Sequence, residues 1–180
     1  MAGRSNVGKS SLINALCRSK IARTSAAPGK TRLVNFYRVS LEGGPGGPGR
    51  WALHLVDLPG YGYARGGQNS AAELAAVSEA YFADDAASDL TRGSGVLMLV
   101  DARHPGLVAD LEAARWFDKL GIKRHIVATK IDKLSKNERA KNLKALETSL
   151  AMPALPVSAA SGEGMDELWR TIARLVRSAA

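Results

Sequence analysis

GRSNVGKSS, residues 3–11, decides how the rest of the chain is read. Gly3 and Gly8 are followed at once by Lys9 and Ser10, the spacing of a loop whose backbone N–H groups cradle phosphate. The glycines permit the tight turn, and the helix that follows adds its positive N-terminal end. In this pattern Lys9 bridges β- and γ-phosphates and the Ser10 hydroxyl reaches magnesium. Such a loop is normally held up by a strand just before it. Here only Met1 and Ala2 precede it.

Working outward, apolar runs alternate with helical periods. LVNFYRVSL (33–41) and WALHLVDL (51–58) are rich in β-formers and flank GGPGGPG (43–49), so they read as a hairpin with a long flexible tip. GVLMLVD (95–101) is a continuous apolar run, as in a buried parallel strand; HIVATK (125–130) and the weaker ALPVSA (154–159) follow. Helices are expected at Lys9 to Arg18 and over 69–83, 107–120, 136–150 and 165–178. The alternation predicts an α/β fold in three layers, with a mostly parallel sheet and one antiparallel edge strand. At 180 residues the chain reads as one domain.

Two further stretches carry chemistry. Asp57-Leu58-Pro59-Gly60 closes a strand, where a carboxylate can hold magnesium through water and the Gly60 N–H can approach a γ-phosphate. Thr129-Lys130-Ile131-Asp132 also follows a strand. The Asp132 carboxylate can accept from guanine N1–H and its 2-amino group. Adenine offers neither donor, and the unpaired carboxylate would cost several kcal/mol. The Lys130 stem can lie along the base, and Ser158-Ala159 offers a backbone N–H to guanine O6. Thr31, in PGKT, is a candidate sensor that meets magnesium and γ-phosphate only in the triphosphate state.

Charge is distributed unevenly. Eight of the 25 bases (Arg4, Lys9, Arg18, Lys20, Arg23, Lys30, Arg32 and Arg38) precede the first acid, Glu42, and the 17 that remain balance the 17 acids. The formal net charge of +8 therefore sits in the N-terminal part, a surface suited to polyanions, nucleotide and RNA. No apolar run approaches the roughly 20 residues of a membrane span. One cysteine, Cys17, allows no internal disulfide and fits a reducing compartment, so a cytoplasmic protein is expected.

GRSNVGKSSLINAL, TSAAPGKTRLVNF, VDLPGYGYA, LVDARHPG, ATKIDKLSK and VSAASGEGMDELW, in that order, resemble the EngB-type GTP-binding proteins (also called YihA or YsxC) of the translation-factor-related GTPase class. The resemblance runs over essentially the whole chain, and DLPGYGYA with PGKT is its specific part. It implies a P-loop NTPase G domain over 1–180 with a six-stranded sheet, binding GTP or GDP with Mg²⁺. It implies a monomer with slow GTP hydrolysis, a role in large-ribosomal-subunit assembly on rRNA, and an association with cell division and septation. Carried over by position, Gly3, Arg4, Ser5, Asn6, Val7, Gly8, Lys9 and Ser10 hold phosphates, and Gly29, Lys30, Thr31, Arg32 and Leu33 form the first switch. Asp57, Leu58, Pro59 and Gly60 sense the γ-phosphate; Thr129, Lys130, Ile131 and Asp132, with Val157, Ser158 and Ala159, hold guanine. Ser10 and Thr31 take Mg²⁺, and Lys9, Thr31 and Gly60 act in hydrolysis.

Against the family pattern, the segment carrying the first strand is expected to be missing, which makes the chain N-terminally truncated relative to the family. By the family's sheet order that strand lies centrally, between 95–101 and 51–57. A nucleotide-dead rRNA-binding or scaffold module is the alternative this raises. The Gly/Pro stretch at 43–49 and Ile131 are lesser departures. Tyr61 stands where many GTPases place a water-orienting glutamine, so slow turnover is expected. Asn6 lies where related GTPases hold K⁺ with an asparagine. Potassium there would supply positive charge, and GTPase rates should then be higher in KCl than in NaCl of equal ionic strength. Equal rates remove the ion from the account.

Overall fold

The computed structural model describes residues 1–22, 34–44, 47–61 and 95–177. Along them run β1 (Ala2–Gly3), α1 (Lys9–Cys17), β2 (Asn35–Gly44), β3 (Gly47–Asp57), β4 (Val96–Asp101), α2 (Val108–Lys119), β5 (Arg124–Thr129), a 3-10 turn (Ile131–Lys133), α3 (Lys136–Leu150), β6 (Ala154–Pro156) and α4 (Met165–Arg177). The expected helix over 69–83 and the switch at 29–33 lie outside the described residues.

β4 shows why the fold takes this form. Its six residues, VLMLVD, are all buried. Val96, Met98 and Val100 face one core with Ile126, Phe117 and Leu146, whereas Leu97 and Leu99 face a second with Leu12, Ile13, Leu168 and Ile172. A strand that is apolar on both sides needs helices over both, and α2 and α3 cover one face while α1 and α4 cover the other. The sheet order is β1-β4-β5-β6, all parallel, and β2 pairs antiparallel with β3. The result is the expected three-layer α/β arrangement.

The two sheets meet at Met1. Its carbonyl accepts from the Leu58 N–H at 3.0 Å, and its nitrogen donates to the Val56 carbonyl. Ala2 and Gly3 pair with Met98 and Leu99, and Arg4 bridges Tyr61 in parallel. Residues 1–4 thus run between β4 and the segment leaving β3, at the central position expected for the first strand. Of the strand expected to be missing, two residues stand at that position, as β1.

Two other boundaries differ from the sequence reading. The hairpin ladder runs through much of the Gly/Pro stretch, to Gly44 and again from Gly47, with a register shift between Glu42 and Gly44. Arg50 reaches Glu42 across the strands with two hydrogen bonds, at 3.1 and 2.8 Å, just before the shift. β6 stops at Pro156 rather than 159, because the Ser158 N–H turns away to the Glu163 carbonyl at 2.9 Å.

Gly3 is demanded by packing. A Cβ there would lie 2.8 Å from the Leu99 carbonyl oxygen and 2.9 Å from Val7 Cγ1. Neither neighbour can yield easily, one being backbone and the other buried. Gly3→Ala is therefore expected to cost about 1–3 kcal/mol of stability, read from the urea midpoint. An unchanged midpoint would mean that β1 shifts away from β4 without penalty.

Candidate functional site

The C-terminal ends of β1, β3, β4, β5 and β6 carry Gly3, Asp57, Asp101, Thr129 and the turn after Pro156. In open α/β sheets this edge is where ligands bind. Residues 3–10 arch from β1 into α1, with Asn6 at φ 62° and Gly8 at φ 109°. Gly8 caps α1, and its carbonyl accepts from the Leu12 N–H at 2.9 Å. Lys9 sits in the first turn and folds back over the loop, donating to the Gly3 carbonyl at 3.2 Å. Its side chain is buried, which lowers its pKa, while Asp57 pulls the other way.

Asp57 is the reciprocal case. It is 2% exposed, and its Oδ1 makes no hydrogen bond among the described residues. Burial raises its pKa and Lys9 opposes the rise. A buried carboxylate oxygen without a partner is a demand for a cation or a bridging donor. Gly60 approaches the loop closely: a Cβ on it would lie 2.9 Å from Ser5 N and 3.1 Å from Lys9 Nζ. Leu58 is buried, whereas Pro59 and Gly60 are partly exposed.

The second group lies beside the loop. Thr129 Oγ1 lies 2.8 Å from the Val7 carbonyl oxygen and 3.1 Å from that of Val100, its proton shared between them. Lys130 takes φ 61°, and its ammonium donates to the Asn6 carbonyl at 2.6 Å and to Asp101 Oδ2 at 3.0 Å. Ile131 is buried. Asp132 Oδ1 accepts from Ser158 Oγ at 2.7 Å, and Oδ2 lies 3.3 Å from Lys133 Nζ. The Ser158 hydrogen bond is the main cause that lowers the Asp132 pKa. Ser158 in turn accepts from the N–H groups of Ala160 and Ser161 at 3.2 and 3.1 Å. Val157 and Ser158 are fully buried. The Ser158 N–H is already committed to Glu163, so of the Ser158-Ala159 pair it is Ala159 that keeps a free N–H among the described residues.

The structure thus brings together residues 3–10, 57–60, 129–132 and 157–159. Ser10 stands half-buried at the start of α1. Gly29, Lys30, Thr31, Arg32 and Leu33 lie outside the described residues.

Two arrangements escape a sequence reading. Asp101 is buried, and it accepts two hydrogen bonds from the Arg103 side chain at 3.0 and 2.8 Å and one from Lys130. Burial alone would raise its pKa; those bonds outweigh it and hold the carboxyl well below the ordinary carboxylate range. Asp110, in the first turn of α2, accepts from the Tyr61 hydroxyl at 3.0 Å and faces Arg4 at 3.5 Å. The DAR spacing hints at the Asp101–Arg103 pair. Nothing in the sequence links Tyr61 to Asp110.

Comparison with known proteins accords with this geometry. A family model described as a 50S ribosome-binding GTPase matches residues 1–130. A probable GTP-binding protein EngB from Anaeromyxobacter sp. (strain Fw109-5) is 43% identical over 175 residues, covering 95% of this chain and 78% of the relative. The probable EngB of Syntrophomonas wolfei is 40% identical over 179 residues, covering 98% and 85%. Among solved structures, Aquifex aeolicus Era Y63A bound to GDP and AlF4⁻ superposes with a TM-score of 0.75 at 21% identity, covering 97% of this chain and 55% of Era. A probable GTP-binding protein engB superposes with a TM-score of 0.65 at 24% identity, covering 98% and 97%.

Proposed function

The chain belongs to the EngB family of GTP-binding proteins, binds guanine nucleotide and hydrolyses GTP; on that premise we propose that it is a slow, GTP-operated switch in large-ribosomal-subunit assembly, associated with normal cell division and septation. In this reading residues 3–10 wrap the phosphates, with Lys9 placed against the β- and γ-phosphates. The Gly60 N–H meets the γ-phosphate. Asp132 accepts from guanine N1–H and the 2-amino group, Lys130 lies along the base, and the Ala159 N–H donates to O6.

The observation that carries the reading is the hold on Asp132. One carboxylate oxygen is fixed by Ser158 at 2.7 Å, and that serine is fixed by two backbone N–H groups. A carboxylate locked in place rejects a base without two donors more sharply than a free one, since it cannot swing to another partner. The orphaned Oδ1 of Asp57 fits a magnesium site. Ser10 and Thr31 would hold the ion, with Asp57 reaching it through water, and when bound it offsets phosphate charge. Lys9 needs no such help: its buried ammonium stabilises charge that develops on the phosphate oxygens during hydrolysis.

Slow turnover is supported by Tyr61. Its hydroxyl is engaged by Asp110 and the side chain is 3% exposed, so it orients no water. The nucleotide-dead alternative has no observation in its favour, since β1 keeps the loop seated against β4.

For the ribosomal partner, the support is charge and rigidity. Arg18 and Lys20 are exposed just after α1. Asn14 pins that turn by donating to the Ala22 carbonyl and accepting from the Ala22 N–H, both at 2.8 Å. Arg38 is exposed on β2, whereas Arg23 lies outside the described residues.

Two outcomes are expected. Asp132→Ala should erase the preference for guanine over adenine nucleotides, a fall of roughly 100-fold or more, read by competition of ATP and GTP against a fluorescent GDP analogue. An intact preference would overturn the assignment. Neutralising Arg18, Lys20 and Arg23 to Gln should weaken binding to ribosomal particles and flatten its salt dependence by about one unit of log K per log salt for each phosphate no longer neutralised. An unchanged slope would place the RNA-facing surface elsewhere.

A further inference from the structure

The residue after Gly60 is held at both ends. The Tyr61 carbonyl accepts from the Ser5 N–H at 3.1 Å, and Tyr61 bridges Arg4. At its other end the Tyr61 hydroxyl donates to Asp110 Oδ1 at 3.0 Å. Asp110 is 2% exposed, and its second oxygen faces Arg4 Nε at 3.5 Å, too far for a hydrogen bond. Neither of those two atoms has a hydrogen-bond partner among the described residues. A buried carboxylate with one oxygen unpaired costs stability, and an apolar residue in its place would be cheaper. What the arrangement provides is position. Tyr61 is clamped between the 3–10 loop and α2, and Gly60, one residue earlier, is pressed against Ser5.

We propose that Tyr61 and Asp110 are positioning residues for the hydrolytic site: the Tyr61–Asp110 hydrogen bond, backed by Arg4, sets Gly60 against the loop and so sets the affinity for triphosphate relative to diphosphate. The inference rests on the reading of Gly60 as the γ-phosphate contact. Neither residue touches the nucleotide; each acts through the backbone at Gly60. GDP lacks the γ-phosphate, so its affinity should be indifferent to the clamp. The same contact joins the site to α2, whose N-terminal Val108 is exposed.

The test measures affinity for GDP and for a non-hydrolysable GTP analogue, together with kcat and KM, in the full chain. Tyr61→Phe removes only the hydroxyl. It should lower the ratio of analogue to GDP affinity roughly tenfold, with GDP affinity within about twofold of the parent and kcat reduced. Asp110→Asn keeps an acceptor for Tyr61 but sets an amide donor opposite Arg4, so it should lose less than Tyr61→Phe. The double variant should be no worse than Tyr61→Phe, since both act on one unit. A merely structural role would lower the unfolding midpoint and leave the ratio unmoved, and that result in Tyr61→Phe would overturn the proposal. Gly60→Ala separates the two levels. If it leaves the ratio intact, the γ-phosphate reading of Gly60 fails. If it collapses the ratio while Tyr61→Phe does not, this inference alone falls.

Discussion

The backbone of the 3–10 loop is held from the side by three neighbours. Gly3 lies against Leu99 of β4, Ser5 bonds Tyr61, and Thr129 reaches across from β5 to the Val7 carbonyl. Unpaired backbone groups in a core are costly, and these contacts pair the loop with three neighbours instead of one. Each neighbour is itself part of the site: the 57–61 segment, the end of β4 and the 129–132 turn. Support and candidate site thus share the same contacts, and the loop's shape is tied to all three neighbours.

Three buried acids divide the electrostatics of this edge. Asp101 is fully partnered by Arg103 and Lys130 and is the most firmly ionised. Asp57 keeps one oxygen open beside Lys9. Asp110 is half satisfied, with Tyr61 on one oxygen and Arg4 only near the other. The first orders Lys130, whose ammonium also bonds the Asn6 carbonyl. The second keeps one buried oxygen without a hydrogen-bond partner among the described residues. The third trades stability for placement of the residue beside Gly60.

Much of this was legible in the sequence where the signal is local. The run at 95–101 is apolar without alternation because both of its faces are covered, and its strand appears as read. Lys9 and Asp132 stand out as candidates in the sequence because their chemistry depends on close spacing within one turn. Composition misled at 43–49: glycine and proline suggested a loose tip, yet the ladder continues to Gly44, with Arg50 holding Glu42 across the strands. ALPVSA read as one strand to 159, but the Ser158 N–H prefers Glu163 and ends it. The Tyr61–Asp110 and Lys130–Asp101 contacts join residues 49 and 29 apart, and only the folded sheet brings them together. No local pattern encodes them.

The Thr129–Val7 bond closes a span of 122 residues. Chain entropy opposes contacts so distant until intervening structure has shortened the effective loop. During synthesis, residues 3–10 leave the ribosome long before residue 129 does. The loop therefore spends that interval without the Thr129 contact, with only its Leu99 and Tyr61 neighbours at hand.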